Sequence, residues 1–256
     1  GVRLSAEIVE NLQADVVWPE VMSLGGQEVL VPRLYLAKDK RGLKAGGLLA
    51  QNIALSASSI RNESSIIAGG MVALAARDGD IINKGGRIIA GEHLHLAAAG
   101  DISNIGGGAI ASRGSASISA RNIRNITETV KNGDRSNYYI TQGAESSIKV
   151  AKMLALRTSE DVRNIGGSIE AGSLALDVGG DFSSSAIELG ESVDHGYSDN
   201  YFRRKSVLFK PAKIEVAGDV QGFVAGDFSL RGSKIKAGGS VDLAVMGSSL
   251  IESRIA

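Results

Sequence analysis

Histidine is the first residue type to consider for chemistry, because neutral imidazole binds metal ions and transfers protons near neutral pH. His93 and His95 alternate in the phrase EHLHL, so on a strand they would share one face. A zinc site needs more ligands than these, and no third ligand recurs beside the pair. His195 stands in no Ser, His and Asp arrangement of the kind that activates a nucleophile. We therefore expect a surface pair at His93 and His95, with no metal site, no catalytic residue and no cofactor.

Two glycine-containing phrases are candidates for an ion or phosphate site. RDGD at residues 77–80 is similar to the turns of calcium-binding β-roll repeats, but the nonapeptide pattern GGxGxDxUx is missing. GGRIIAG at residues 85–91 lacks the strand-to-helix context that a phosphate-binding loop needs. Both phrases therefore favour plain turns.

Aromatic and basic residues cluster in two related phrases, SNYY and DNYF, the second of which runs into Arg203, Arg204 and Lys205. Exposed aromatic side chains beside arginine are common anchors of protein interfaces. The candidate partner-contact residues are Tyr138, Tyr139, Tyr197, Tyr201, Phe202, Arg203 and Arg204. The alternative interpretation of both phrases is an ordinary solvated loop.

Composition excludes several function classes. Lys+Arg and Asp+Glu are both 28, so no global field attracts nucleic acid, and we predict no nucleic-acid partner. The absence of Cys removes disulfides, thiolate catalysis and zinc–thiolate sites. With 33 Gly but only 3 Pro in 256 residues, the chain is neither collagen-like nor a disordered Pro/Gly tract, and it should fold.

The sequence contains no run of about 18 apolar residues, so it predicts no membrane-spanning helix. The N-terminus GVRLSAEIV carries neither an initiator Met nor a signal peptide, and SSLIESRIA stops within the repeat pattern without a polar capping segment. These features indicate an excerpt of a longer chain.

A repeat is the dominant pattern of the sequence. An apolar residue two places before Asn marks Asn62, Asn83, Asn104 and Asn125 at steps of 21 residues, and Asn164 after a step of 39. Each repeat contains three short phrases of alternating apolar residues, exemplified by DIIN, GRIIAG and HLHLAA, bounded by Gly, Asn, Asp or Ser. Helical spacing is broken throughout by glycine.

This pattern predicts an all-β parallel β-helix with three short strands in each coil of about 21 residues. Turn residues recur because each coil must turn at the same place as its neighbour, and stacked Asn side chains can hydrogen-bond along the axis. The predicted Asn ladder is Asn62, Asn83, Asn104, Asn125 and Asn164, and the predicted core column is Leu55, Leu74, Leu96, Ile118, Leu156 and Leu176.

Interruptions of the repeat define the predicted organisation. Residues 1–42 form an irregular β segment with a hairpin around SLGGQ, and residues 43–256 form the β-helix. Two hairpin-like excursions interrupt the coils at about 126–150 and 188–212. Open coil ends expose strand edges, through which chains could associate end to end or edge to edge.

The repeat phrases NxGGxIxA, xLxLxAxGDI and SKIKAGGSVDLAV, with VLVPRLYLA before the first coil, resemble the filamentous haemagglutinin repeats of large bacterial exoproteins, including contact-dependent growth inhibition toxins. The similarity covers roughly residues 16–256. It implies a right-handed β-helix in a protein that is secreted to the bacterial cell surface by two-partner secretion. The implied partners are an outer-membrane two-partner-secretion transporter and the target-cell outer membrane or surface.

Three function classes follow from these observations. The leading one is a non-catalytic stalk or scaffold of a secreted exoprotein that takes part in toxin delivery across the target-cell outer membrane. The second is adhesion to a host or bacterial surface through the Tyr-rich excursions. The third is a carbohydrate-active β-helix enzyme, which needs two carboxylates on one outer strand face, whereas the acids here sit mostly at corners.

Overall fold

The computed structural model describes residues 16–24, 27–35, 46–134, 137–197 and 200–254. The chain divides into two compact units, residues 1–46 and 47–256. In the first unit, β1 (Val16–Leu24) and β2 (Gln27–Tyr35) form a two-stranded antiparallel sheet. Pro19 and Pro32 are register partners in this sheet, and both strands are edges, where a missing N–H is tolerated.

The second unit winds as a coil with three strands in each turn. One coil, for example, consists of β9 (Arg87–Ala90), β10 (His93–Ala98) and β11 (Ile102–Ile105). Each strand pairs in parallel with the equivalent strand of the coil before and the coil after. Equivalent strands therefore build three faces that run along the coil axis.

Faces 1, 2 and 3 follow one another in this order along the chain. Face 1 contains β3 (Gly47–Ala50), β6 (Ser65–Ala68), β9, β12 (Ala109–Ser112), the first part of β17 (Ser147–Thr158), the first part of β19 (Ser168–Val178), β23 (Ala212–Val216) and β26 (Ser233–Ala237). Face 2 contains β4 (Ile53–Ala57), β7 (Met71–Ala76), β10, β13 (Ser115–Ala120), the second parts of β17 and β19, β24 (Val220–Val224) and β27 (Val241–Val245). Face 3 contains β5 (Ile60–Asn62), β8 (Ile81–Lys84), β11, β14 (Ile123–Ile126), β18 (Val162–Ile165), β20 (Phe182–Ser185), β25 (Phe228–Arg231) and β28 (Ser249–Glu252). Because face 3 is an 8-stranded sheet, the described part of the second unit contains eight coils.

The core lies inside the coil, where apolar side chains alternate with outward polar ones. On β10, Leu94 and Leu96 are buried, whereas His93 and His95 are exposed. The predicted core column consists of successive register partners on face 2: Leu55, Leu74, Leu96, Ile118, Leu156 and Leu176. All are buried except Leu55 of the first coil, which is 36% exposed.

Backbone corners hold the faces at fixed positions from coil to coil. Between faces 1 and 2, an added Cβ on Gly91 would lie 1.8 Å from the carbonyl oxygen of Gly69 in the preceding coil, so this corner requires glycine. At the corner before face 3, an Asp carboxylate of one coil accepts a hydrogen bond from the backbone N–H of the equivalent residue in the next coil. Asp80 Oδ1 accepts from Asp101 at 2.8 Å, and the same bond joins later aspartates, as between Asp161 and Asp181 at 2.9 Å.

A second ladder runs inside the corner that follows face 3. The Nδ2 of each Asn donates to the Oδ1 of the next, over 2.7 Å or 2.8 Å, through the buried series Asn62, Asn83, Asn104, Asn125 and Asn164. The same amides also donate to backbone carbonyls of the turn, as from Asn104 to Gly108 at 2.9 Å. Buried amides are therefore satisfied along the whole series, which removes the cost of their burial.

The predicted fold class is confirmed: the second unit is a parallel β-helix with three short strands in each coil and hairpin-like excursions. After the first excursion, the coil resumes at Ser147. The expected start of the first coil near Leu43 lies outside the described residues. None of the described residues forms a helix capable of crossing a bilayer.

Candidate functional site

Both excursions leave the coil at the same corner, between faces 3 and 1. The first hairpin, β15 (Thr129–Gly133) and β16 (Tyr138–Gln142), follows β14. The second, β21 (Ile187–Tyr197) and β22 (Asn200–Lys210), follows β20, two coils further along the axis. One uninterrupted corner lies between them. There Gly166 has φ 59°, and an added Cβ would lie 2.7 Å from Cγ2 of Ile187, so a larger residue would collide with the base of the second hairpin.

The two hairpins join into one antiparallel sheet of four strands in the order β15, β16, β21, β22, which we call the side sheet. The two hairpins are connected by the antiparallel pairing of β16 with β21, in which Tyr138 is the register partner of Ser192 and Tyr139 that of Glu191. The side sheet therefore forms only when both interruptions of the repeat are present.

Polar contacts fasten the side sheet to the coil. Ser146, which is fully buried, donates from Oγ to the carbonyl oxygen of Ile126 at 2.8 Å. Lys210 Nζ lies 2.7 Å from Glu145 Oε2 and thus links the base of the second hairpin to that of the first. Burial alone would raise the pKa of Glu145, but Lys210, Ser168 and the charge of Lys213 lower it below the usual value.

One surface of the side sheet carries exposed apolar side chains. Register and alternation place Val130, Tyr139 and Leu208 on the same surface, and they are 48%, 53% and 58% exposed. On the opposite surface, Lys131 Nζ lies 3.9 Å from the ring centroid of Tyr138. Scattered apolar residues on a surface are ordinary, but these three share one surface of one small sheet.

The structure describes the side chains of only part of the predicted partner-contact set. Tyr138 and Tyr139 lie on adjacent positions of β16 and point to opposite surfaces, and Arg204 lies on β22, 3.6 Å from Glu191. The side chains of Tyr197, Tyr201, Phe202 and Arg203 lie outside the part of the chain that the structure describes.

A groove of about 680 Å³ runs along face 1 at its corner with face 2, with a floor of alanine and glycine. Its outward column places Lys149, Glu170, Glu215 and Lys236 in register on successive coils. Two neighbouring carboxylates on an outer face are what a carbohydrate-active enzyme would need. Lys149 Nζ, however, lies 2.8 Å from Glu170 Oε1, so Glu170 is engaged in an ion pair, which disfavours a catalytic acid and base at this position.

His93 and His95 lie side by side on the outside of face 2, as their spacing predicted. Their register partners on the neighbouring coils are Met71, Ala73, Ser115 and Ser117. Within the described ranges, no group of three or more His, Cys, Asp or Glu side chains could hold a metal ion.

Several structural residues were missed because they do not belong to the predicted Asn ladder. Asn164 donates to Ser184 Oγ at 3.3 Å, and Ser184 bonds to Ser233 at 2.6 Å, so hydroxyls extend the amide ladder. Asn122 replaces aspartate at the corner before face 3, where its Nδ2 donates to Asp101 at 2.9 Å. The only sign of Ser184 and Asn122 in the sequence was their position, since Ser184 lies one coil period after Asn164 and Asn122 lies one coil period after Asp101.

The core column ends at Leu176, because its register partner in the next coil is Gly222, which has no side chain. The same region of the interior instead contains Phe182 and Phe228 on face 3, stacked with ring centroids 5.3 Å apart. Sequence spacing could not reveal this exchange, because large and small residues changed places between different faces.

These observations define a class: a β-helical repeat protein that carries a four-stranded side sheet on the outside of its coil. The Hemagglutinin repeat family model matches residues 51–188, and the chain belongs to this family. The match ends within β21, so most of the second hairpin lies beyond it.

Curated relatives include toxins. The chain is 29% identical over 208 residues to the Toxin CdiA of Escherichia coli, covering 78% of the chain and 7% of that protein. It is 25% identical over 248 residues to the Toxin CdiA of Yersinia pestis, covering 93% of the chain and 8% of that protein. A shorter match to the Deoxyribonuclease CdiA of Dickeya dadantii is 38% identical over 85 residues, covering 32% of the chain and 3% of that protein. No solved structure matches the chain.

Proposed function

We propose that this segment is a non-catalytic stalk of a large secreted exoprotein and that it takes part in moving a toxin across the outer membrane of a target cell. The observation that carries the proposal is the parallel stacking of eight coils, five of which are also joined by the continuous Asn ladder. Such a stack holds its ends at a fixed separation, because each coil is hydrogen-bonded to its neighbours along one axis.

The comparisons support the toxin context. The relatives are named as toxins and nucleases, and the chain spans only 7% and 8% of the two CdiA toxins that it matches over most of its own length. Membership of the Hemagglutinin repeat family supports a further part of the proposal: the parent protein would leave its cell through an outer-membrane two-partner-secretion transporter and remain at the bacterial surface.

The delivery role is tested by removing the coils that correspond to residues 47–254 from a full-length parent exoprotein. Secretion and binding to target cells should persist, whereas growth inhibition of the target should be lost. Replacement by an unrelated β-helix with the same number of coils shows whether growth inhibition depends on the length of the segment or on its sequence. Unchanged inhibition after the deletion would refute the role.

A second candidate function is direct adhesion, favoured by the union of two hairpins into one exposed sheet. Val130, Tyr139 and Leu208 share its more exposed surface. The triple substitution of these residues by Ser should abolish attachment of the purified segment to target cells while leaving its β-rich circular dichroism unchanged. A matched triple Ser substitution at His93, His95 and Met71, which are exposed on face 2, serves as the control. Equal attachment by both variants would contradict adhesion through the side sheet.

A further inference from the structure

The outer strand β22 is the longer free edge of the side sheet. It spans Asn200–Lys210 and, among the described residues, pairs only with β21. The opposite edge, β15, has only five residues. Because every second backbone N–H and C=O of an edge strand points away from its sheet, β22 presents a row of unpaired groups that can accept another strand.

The charge on β22 restricts what can pair with it. Its sequence NYFRRKSVLFK contains four basic residues and no acidic residue. A second copy of the same strand would place like charges side by side, which opposes self-pairing. An acidic strand would instead meet complementary charge along the edge.

Exposed side chains on β22 add a pattern to this charge. Arg204 and Leu208 lie on the same surface as Tyr139, with Ser206 between them, whereas Lys205 lies on the other surface. The Arg204 side chain is 65% exposed, and its Nε lies 3.6 Å from Glu191 Oε1. Leu208 is 58% exposed. An incoming strand would therefore find a cation and an apolar contact four residues apart on one surface, and a second cation on the other.

We propose that β22 binds an extended acidic segment of a partner protein by β-strand addition, with an acidic residue beside Arg204 and an apolar residue beside Leu208. Backbone hydrogen bonds supply affinity in this mode, and the alternate side chains supply selectivity. The proposal deepens the adhesion function above, and it is independent of the stalk function.

The probe is a capped, fluorescently labelled nine-residue peptide of alternating Glu and Thr with one central Val. The control is the same peptide with Lys in place of Glu. Fluorescence polarisation with the whole chain should show saturable binding of the acidic peptide only, and the binding should weaken as salt is added.

Arg204→Glu should weaken the affinity for the acidic peptide by roughly fivefold or more, since exposed ion pairs contribute at that level. Lys152→Glu, an exposed cation on β17, is the matched control and should have little effect.

Amide hydrogen exchange distinguishes strand addition from simple charge attraction. In the complex, alternate amides of β22 should become protected, whereas those of β15 should not. Binding without protection of β22, equal binding of the basic peptide, or no binding of the acidic peptide at concentrations up to about 1 mM would each overturn the proposal. Adhesion through the surface of Val130 and Tyr139 could still be found by the cell-attachment test, so the two failures are distinguishable.

Discussion

At the scale of single residues, the account depends on apolar side chains that stack inside the coil. Leu96 is fully buried on β10, between Leu74 and Ile118, and its neighbour His95 points outward. Leu96→Ala should lower the free energy of unfolding by about 2–5 kcal/mol, because it removes core contacts and leaves a cavity. His95→Ala, measured by the same denaturant titration, should change it by less than about 0.5 kcal/mol. Similar losses in both variants would show that the alternation is wrong.

The Asn ladder gives a second prediction at this scale. Asn104 accepts from Asn83 and donates to Asn125, Gly108 and Ser147, so Asn104→Ala removes four contacts and leaves buried polar groups unpaired. The expected loss is about 1–3 kcal/mol in the free energy of unfolding. The exposed Asn52 makes one such contact, at 2.8 Å to the Met71 N–H, and its replacement by Ala should cost less. An Asn104→Ala variant as stable as the parent chain would contradict a structural ladder.

Asp101 makes the stability depend on pH. Burial would raise the pKa of Asp101, but the Asn122 amide, Arg121 and Arg124 together lower it below its usual 3.8. Since the folded-state pKa is the lower one, the stabilising contribution of Asp101 is present above the ordinary Asp pKa and is lost as the pH falls through the folded-state value.

The corresponding measurement is urea unfolding of the parent chain and of Asp101→Asn across the acidic range. The parent chain should be the more stable of the two near neutral pH, and the difference should shrink below about pH 4. Asp177→Asn, an exposed position on the outside of face 2, is the matched control for the loss of one carboxylate. A constant difference between the parent chain and Asp101→Asn at all pH values would contradict this assignment.

At the scale of elements, the side sheet should be separable from the coil but not divisible into two independent hairpins. Removing residues 129–142, with a short Gly linker in their place, takes away the strand that pairs with β21. Amides around Gly190 and Ser192 should then lose hydrogen-exchange protection, because β21 becomes an edge, while the protection of β10 and β13 stays the same. The Glu145 and Lys210 pair should not rescue the sheet, since Glu145 is 41% exposed and such pairs contribute about 1 kcal/mol or less.

Retained protection of β21 after that deletion would mean that the second hairpin stands alone. Loss of protection in β10 would mean that the coil depends on the hairpins. Either result would contradict the division of the second unit into a coil and a side sheet.

The elements differ in how far the sequence determines them. The 21-residue spacing of Asn83 and Asn104 predicted their direct contact, because equivalent positions of neighbouring coils must meet. The phrases SNYY and DNYF marked the two hairpins, but nothing in either phrase indicated that β16 would pair with β21. That pairing arises because both hairpins leave the same corner two coils apart, and this relation is visible only once the coils are stacked.

At the scale of the whole coil, stability is expected to come from contacts between nearest neighbours, as in other repeat proteins. Most long-range structure then depends on one relation: residues one coil apart lie side by side, whatever their separation in sequence. The strictest case is the coil that follows the first hairpin. There Ser117 on β13 is the register partner of Ala155 on β17, although the hairpin lies between them in the chain.

Engineered disulfides test this relation directly, because the natural chain contains no Cys. Neighbouring parallel strands lie about 4.8 Å apart, within the range that a disulfide can bridge, whereas a shift of two residues along the strand moves the pair to about 8 Å, beyond that range. The matched variant carries Ser117→Cys and Ala155→Cys, and the shifted control carries Ser117→Cys and Arg157→Cys. Under mild oxidation, the matched pair should form an intramolecular disulfide rapidly and nearly completely, and the shifted pair should remain reduced. Equal crosslinking of both pairs, or crosslinking of the shifted pair alone, would contradict the stacked parallel coil.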